Sequence, residues 1–263
     1  MYNKAIPALA AILLFGSAAA WYWWPHLAPT PAPPPPVSAP PVADLAPAIA
    51  NPMPATDANA AAVPVLAESD QPFAKELEGI PGAGAVAKYL QPENLIRHIV
   101  ATVDNLPRHR LAVDLLPLHR TAGVFTISGT EDQATLDAHN ARRYAPLVAI
   151  LGSLDMHAVN GLYQHYYPLF QRAYQDLGYP QGYFNDRLVA AIDNLLATPK
   201  QTGPVALVRP KVYWEYADPE LEARSAGQKL MLRIGADNAA GVERKLRELR
   251  GLVATGAPQA ANH

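Results

Sequence analysis

The sequence contains no cysteine. That removes disulfide frameworks, thiol nucleophiles and cysteine-ligated zinc or iron–sulfur sites. A surplus of one charge sign is missing too: 21 basic against 23 acidic side chains leave a net charge of −2, too little for electrostatics alone to hold nucleic acid. A third lack is local. Only Lys4, Asp44 and Asp57 of the 44 charged residues precede Glu68, whereas 14 of the 27 prolines lie from Pro25 to Pro72. Folding capacity therefore falls to the later part of the 263-residue chain, which is long enough to bury a core.

What the early part does hold is an apolar run. Ala5 to Trp24 carries no charge over 20 residues, and a helix of that length spans ~30 Å, the hydrocarbon thickness of a bilayer. Trp21, Tyr22, Trp23 and Trp24 close the run as an interfacial aromatic belt. Lys4 and the α-amino group are the only cations before Lys75, so positive-inside asymmetry leaves the N-terminus in the cytoplasm and everything after Trp24 across the membrane. Ala18-x-Ala20 also satisfies the small-residue rule for signal-peptide cleavage, but a cut between Ala20 and Trp21 would leave W-Y-W-W at the start of a soluble protein. A retained single-pass anchor over residues 1–24 is the expectation. Residues 25–66 read as a disordered Pro/Ala-rich linker, because paired prolines and the run Pro33–Pro36 remove backbone donors and the alanines bury little. Such a stretch reaches ~130 Å as polyproline II and ~40 Å as a coil.

The expected domain covers residues 67–253, followed by a disordered tail over 254–263. Its pattern is mostly α: a single helical domain with at most one short β-hairpin. Leu95, Ile96, Ile99, Val100 and Val103 recur at helical spacing in Gln91–Leu106, with Pro92-Glu93 at its first turn. Asp137 caps a helix over Ala138–Leu151, Asp155 the next as far as Gly178, and Asn185 precedes Asp186–Leu196. Asp218-Pro219-Glu220 opens another, Ser225 a helix over Ala226–Ile234, and a last helix ends near Val253. Gly123–Gly129 is the one clear β signal and pairs with Ala134–Leu136.

Two motifs match catalytic or cofactor patterns by letters alone. Gly82-Ala-Gly84-Ala-Val-Ala87 fits G-x-G-x-x-A, but Glu78-Gly-Ile-Pro81 before it is no strand, so no helix is aimed at a pyrophosphate. Ala223-Arg-Ser225-Ala-Gly227 approximates a nucleophile elbow without its first glycine or its strand, and Ser225-x-x-Gln228 reads as a capping box instead. The eight histidines show no H-x-x-x-H spacing, so no metal or cofactor is expected.

Aromatic residues are concentrated: eleven of the 21 lie between Tyr163 and Tyr216. Tyr163, Tyr166, Tyr167, Phe170 and Tyr174 share a helical face, with Pro168 expected to kink it, and the bland reading is a core with tyrosine hydroxyls partnered at its rim. The sharper reading is a recognition surface made of Tyr183, Asn185, Asp186, Arg209, Lys211, Tyr213, Trp214 and Glu215. Asp186 and Glu215 are the only acids there that general acid–base chemistry would use, and no catalytic role is assigned to them.

The segments A-T-V-D-N-L-P-R (Ala101–Arg108), G-Y-F-N-D-R-L-V (Gly182–Val189), L-L-A-T-P (Leu195–Pro199), L-V-R-P-K-V (Leu207–Val212), A-D-P-E-L-E-A and S-A-G-Q-K-L (Ser225–Leu230) resemble an uncharacterised domain-of-unknown-function family of Gram-negative bacteria. Its members are typically built from an N-terminal membrane helix, a Pro/Ala-rich stretch and a helical domain. The resemblance runs from about Glu68 to Leu252 and implies an envelope location: an inner-membrane anchor with the domain in the periplasm. It implies no activity and no catalytic residue. The expected function is binding or scaffolding of a cell-envelope protein, and the alternative is a peptidoglycan-binding module using the tyrosine-rich surface. Nucleic acid is not an expected partner.

Overall fold

The computed structural model describes residues 48–54, 62–119, 121 and 123–254. The apolar run with its Trp21–Trp24 belt, most of the Pro/Ala stretch and the tail after 254 lie outside them. All described residues belong to one compact unit, Ala46–His263. Among them are eight α-helices, α1 (Asp70–Glu78), α2 (Leu95–Asn105), α3 (Ala138–Ser153), α4 (Met156–Asp176), α5 (Phe184–Leu196), α6 (Pro219–Glu222), α7 (Ala226–Arg233) and α8 (Ala236–Val253). The chain is mostly helical, as its periodicity implies, and none of these helices is long and apolar enough to cross a membrane singly.

Several helix starts follow from the residue that precedes them. The Asp137 carboxylate accepts the His139 N–H at 2.7 Å, Asp155 accepts those of His157 and Ala158, Asp218 that of Glu220, and the Ser225 hydroxyl that of Gln228. Each fills a donor that the first helical turn leaves unpaired.

Two starts differ from expectation. Helix α2 begins at Leu95 rather than Gln91, because the Gln91 N–H is spent on the Pro117 carbonyl in a bridge between Leu90 and Leu118. Its cap comes from elsewhere: Asp70, at the start of α1, accepts the N–H groups of Asn94 and Leu95 at 2.7 and 2.8 Å. Asn94 turns the chain into α2 in the left-handed conformation, φ 53°, which asparagine tolerates better than most residues. Helix α5 begins at Phe184, not Asp186, so Asn185 lies inside its first turn.

The expectation of at most one hairpin is corrected to two. β1 (Ile127–Ser128) pairs antiparallel with β2 (Thr135–Leu136) as the sequence implies, and β3 (Leu207–Val208) pairs antiparallel with β4 (Glu215–Tyr216). Strands of two residues leave no alternation to read. The second hairpin is fixed by tertiary bonds instead, Leu207 N–H to the Ala134 carbonyl and Leu136 N–H to that of Val205.

Helix α8 packs against α3, α4 and α5, while α2 lies across α4 and α5. The main core is aromatic: Phe73, Tyr163, Tyr166, Phe170, Tyr174 and Phe184 are all buried, together with Leu95, Ile96 and Val100 of α2. Phe170 and Phe184 stack at 5.7 Å, and Tyr163 meets Phe170 edge-on at 5.3 Å, arrangements that suit the ring quadrupoles. A second cluster joins Leu207 and Tyr216 to Leu232, and a third joins Leu195, Met231 and Ile234.

The packed unit also starts earlier than composition suggests. Met53, Val63 and Leu66, all inside the stretch expected to be a linker, pack on the main core.

Candidate functional site

The eight residues of the expected recognition surface fall into two groups with different neighbours. The first sits on the opening turn of α5. Asn185 is completely buried and spends its side chain on three elements: Nδ2 donates to the carbonyls of Asn51 (2.9 Å) and Val253 (2.8 Å), and Oδ1 accepts from the Tyr163 hydroxyl (3.2 Å). Asp186 beside it accepts the backbone N–H groups of Ala50 (3.1 Å) and Asn51 (2.7 Å) and the Asn51 side-chain amide (3.0 Å). The Tyr183 hydroxyl accepts the Met53 N–H at 2.7 Å, and its ring packs on that of Tyr167. These three residues are therefore occupied by the chain itself.

The turn leading into α5 is set by Gln171. Its Nε2 donates to the Gly182 carbonyl at 2.7 Å and its Oε1 accepts the Phe184 N–H at 2.9 Å. Burial pushes the hydroxyls of Tyr163 and Tyr167 far above the ordinary phenol range, so both are neutral hydrogen-bonding groups at physiological pH.

The second group lies on the β3–β4 hairpin. Trp214 packs on the second apolar cluster and carries the Arg209 guanidinium 5.3 Å from its ring centroid, with Arg209 also paired to Glu131. Glu215 sits in register with Val208 in the hairpin ladder. The loop between the strands is turned outward: Val212 is 76% exposed and Tyr213 80%, with Lys211 exposed beside them.

Sequence reasoning missed an ionic cluster next to the first group. Asp104 at the end of α2 is 4% exposed and lies between two guanidiniums, Arg187 Nε at 3.0 Å and Arg108 Nη2 at 2.8 Å. The Tyr179 hydroxyl donates to the same carboxylate at 3.4 Å. A signal was present, since Asp104 continues the Ile96–Val100 spacing, and an acid on a buried helical stripe requires a partner. The cluster joins Ala101–Arg108 to Gly182–Val189. Similarly, Ser225 Oγ donates to Asn194 Oδ1 at 2.7 Å and the Gly227 N–H reaches the Leu106 carbonyl at 2.8 Å. Three of the segments that carry the family resemblance, Ala101–Arg108, Gly182–Val189 and Ser225–Leu230, are thus joined at the end of α2.

The letter-matched motifs have structural roles. Gly82 adopts φ 88°, and a Cβ there would lie 2.1 Å from the Ser153 carbonyl oxygen, so the Gly-rich turn is what lets this loop touch the end of α3. Ser225 caps α7 and is bonded to Asn194, with no base beside it among its described hydrogen bonds. No group of three or more histidine and carboxylate side chains among the described residues is placed to hold a metal ion. A shallow cavity of about 170 Å³ lies between the Thr198–Gln201 loop and helices α7 and α8, lined by Lys200, Met231 and Glu243. It is smaller than the few hundred Å³ of an ordinary small-molecule site.

In this helical unit the ends of α2, α5 and α7 are tied together by Asp104, Arg187, Asn194 and Ser225. The chain belongs to the DUF3014 family, proteins of unknown function, whose model matches residues 95–250 and so takes in α2 through most of α8. No curated protein and no solved structure matches the chain.

Proposed function

We propose that this protein is a membrane-tethered scaffold, anchored through residues 1–24, whose helical unit works in the periplasm and binds a cell-envelope protein without catalysing a reaction. The observation that carries the reading is the β3–β4 loop. It holds a tyrosine at 80% exposure beside an exposed valine and lysine, on a hairpin braced by Arg209 against Trp214 and Glu131. An exposed aromatic on a rigid support loses little entropy when it docks, and tyrosine is enriched among the residues that dominate protein–protein affinity.

A peptidoglycan groove would need several rings facing one space. Tyr183 is taken by Met53 and Trp214 by Arg209 and the apolar cluster, which favours a protein partner over a glycan. A photo-crosslinking residue at position 212, beside an intact Tyr213 and activated in living cells, tests the reading. A discrete envelope protein in the adduct is the expected result. Adducts with peptidoglycan alone would overturn it in favour of the glycan-binding alternative.

A further inference from the structure

Residues 48–54 have the composition of a spacer, yet they are held by three side chains of α5's opening turn. The contacts follow a rule. Between Pro47 and Pro54 the backbone offers N–H donors only at residues 48, 49, 50, 51 and 53. Asp186 takes two consecutive ones, Ala50 and Asn51, and Tyr183 takes that of Met53, so the three bonds skip the donor that Pro52 lacks. The Asn51 carbonyl is filled by Asn185 and the Asn51 side chain by Asp186. Met53 is half-buried against the main core.

The segment is also prepared for this. Asn51 and Met53 each precede a proline, which restricts their backbone and reduces the number of conformations lost on docking. That is how a stretch poor in apolar side chains settles against a surface. Asp186 brings a carboxylate to two backbone donors, the stronger kind of hydrogen bond. Asn185 is buried with all its capacity directed, one oxygen to Tyr163 and its amide to Asn51 and Val253.

We infer that Tyr183, Asn185 and Asp186 form a peptide-recognition site for a bent Ala-Asn-Pro-Met segment, with the chain's own residues 50–53 as its resident occupant. The site reads main-chain amides and the Asn51 side chain, and it fastens the tether to the helical unit at residue 50 rather than at the expected boundary of 66. It is independent of the β3–β4 loop and of whatever that loop binds.

The test uses the full chain and a fluorescent peptide of residues 46–56. The triple variant Asn51→Gly, Pro52→Ser, Met53→Gly empties the site, and it should bind the peptide at least tenfold more tightly than the wild-type chain, whose site is filled. Adding Asp186→Ala to the triple variant should weaken peptide binding about tenfold or more, the loss expected for hydrogen bonds to a charged group. A triple variant with wild-type circular dichroism that binds no better than the wild-type chain would overturn the inference. Amide hydrogen exchange on the wild-type chain supplies a readout that needs no variant to fold. Slow exchange at Ala50, Asn51 and Met53 supports the site, and exchange at the unstructured rate at all three would refute it.

Discussion

Two tyrosine-rich stretches of this chain look alike in composition and behave as opposites. Along α4 and into α5, Tyr163, Tyr166, Phe170, Tyr174 and Phe184 are buried, and the hydroxyls of Tyr163 and Tyr166 are satisfied by Asn185 and Glu76. On the β3–β4 hairpin, Tyr216 is buried, whereas Tyr213 three residues earlier is 80% exposed. The difference lies in spacing and partners rather than aromatic content. Rings at intervals of three and four along a helix fall on one face and are committed to the core, while a ring in a loop between two-residue strands is free to point outward. Aromatic density alone does not mark a binding surface.

That contrast can be broken or sharpened by substitution. The largest effect is expected at Phe184, 1% exposed and stacked on Phe170. Phe184→Ala should cost about 3–5 kcal/mol, a fall in the thermal midpoint of roughly 10 °C. A fall of only a degree or two would mean that the aromatic layer is not the core. Next comes Asn185→Ala, which strips partners from the Tyr163 hydroxyl and from the Asn51 and Val253 carbonyls. A loss of about 2–3 kcal/mol in urea unfolding is expected, and an unchanged midpoint would detach this residue from the core network.

A smaller effect concerns acid. The Ser128 hydroxyl, then the His139 backbone and ring, hold the Asp137 carboxyl down to about 2, against an ordinary 3.8. Because the folded-state value is the lower one, its contribution is fully present above about pH 4 and disappears as pH falls toward 2. Asp137→Asn should flatten stability over that window, and a wild-type acid limb in the variant would exclude Asp137 as its source. The smallest effect is at the exposed ring. Tyr213→Ala should leave unfolding within ~0.5 kcal/mol of wild type while abolishing the crosslinks expected from the β3–β4 loop. A large loss of stability would instead place Tyr213 with the buried rings.

The helical architecture was legible where its causes are local. Asp137, Asp155, Asp218 and Ser225 each cap the helix that follows, and the Leu95–Val103 stripe of α2 announces its buried face. Legibility failed where the cause sits far along the chain. The cap of α2 comes from Asp70, and the second hairpin is held by residues of the first. Asn185 has the chemistry of a cap, but burial spends it on Tyr163, Asn51 and Val253 instead.

The candidate site was half legible for the same reason. Tyr183, Asn185 and Asp186 stand out in the sequence as candidates for a recognition surface, but nothing local to them indicates that they bond to a segment about 130 residues earlier. Arg209, Lys211, Tyr213, Trp214 and Glu215 share an aromatic-rich stretch with them in the sequence, but in the fold they lie on the β3–β4 hairpin, where Trp214 packs on a different apolar cluster.

One buried amide has a further consequence. Asn185 Nδ2 donates both to Asn51, near the first described residue, and to Val253, next to the last. The beginning and the end of the helical unit therefore come within reach of a single nitrogen atom. Such a unit is suited to circular permutation: a short glycine–serine bridge would close the ends, and new termini could be opened in the exposed β3–β4 loop. By the same geometry the unit could be inserted whole into a surface loop of another protein, entering and leaving at neighbouring points.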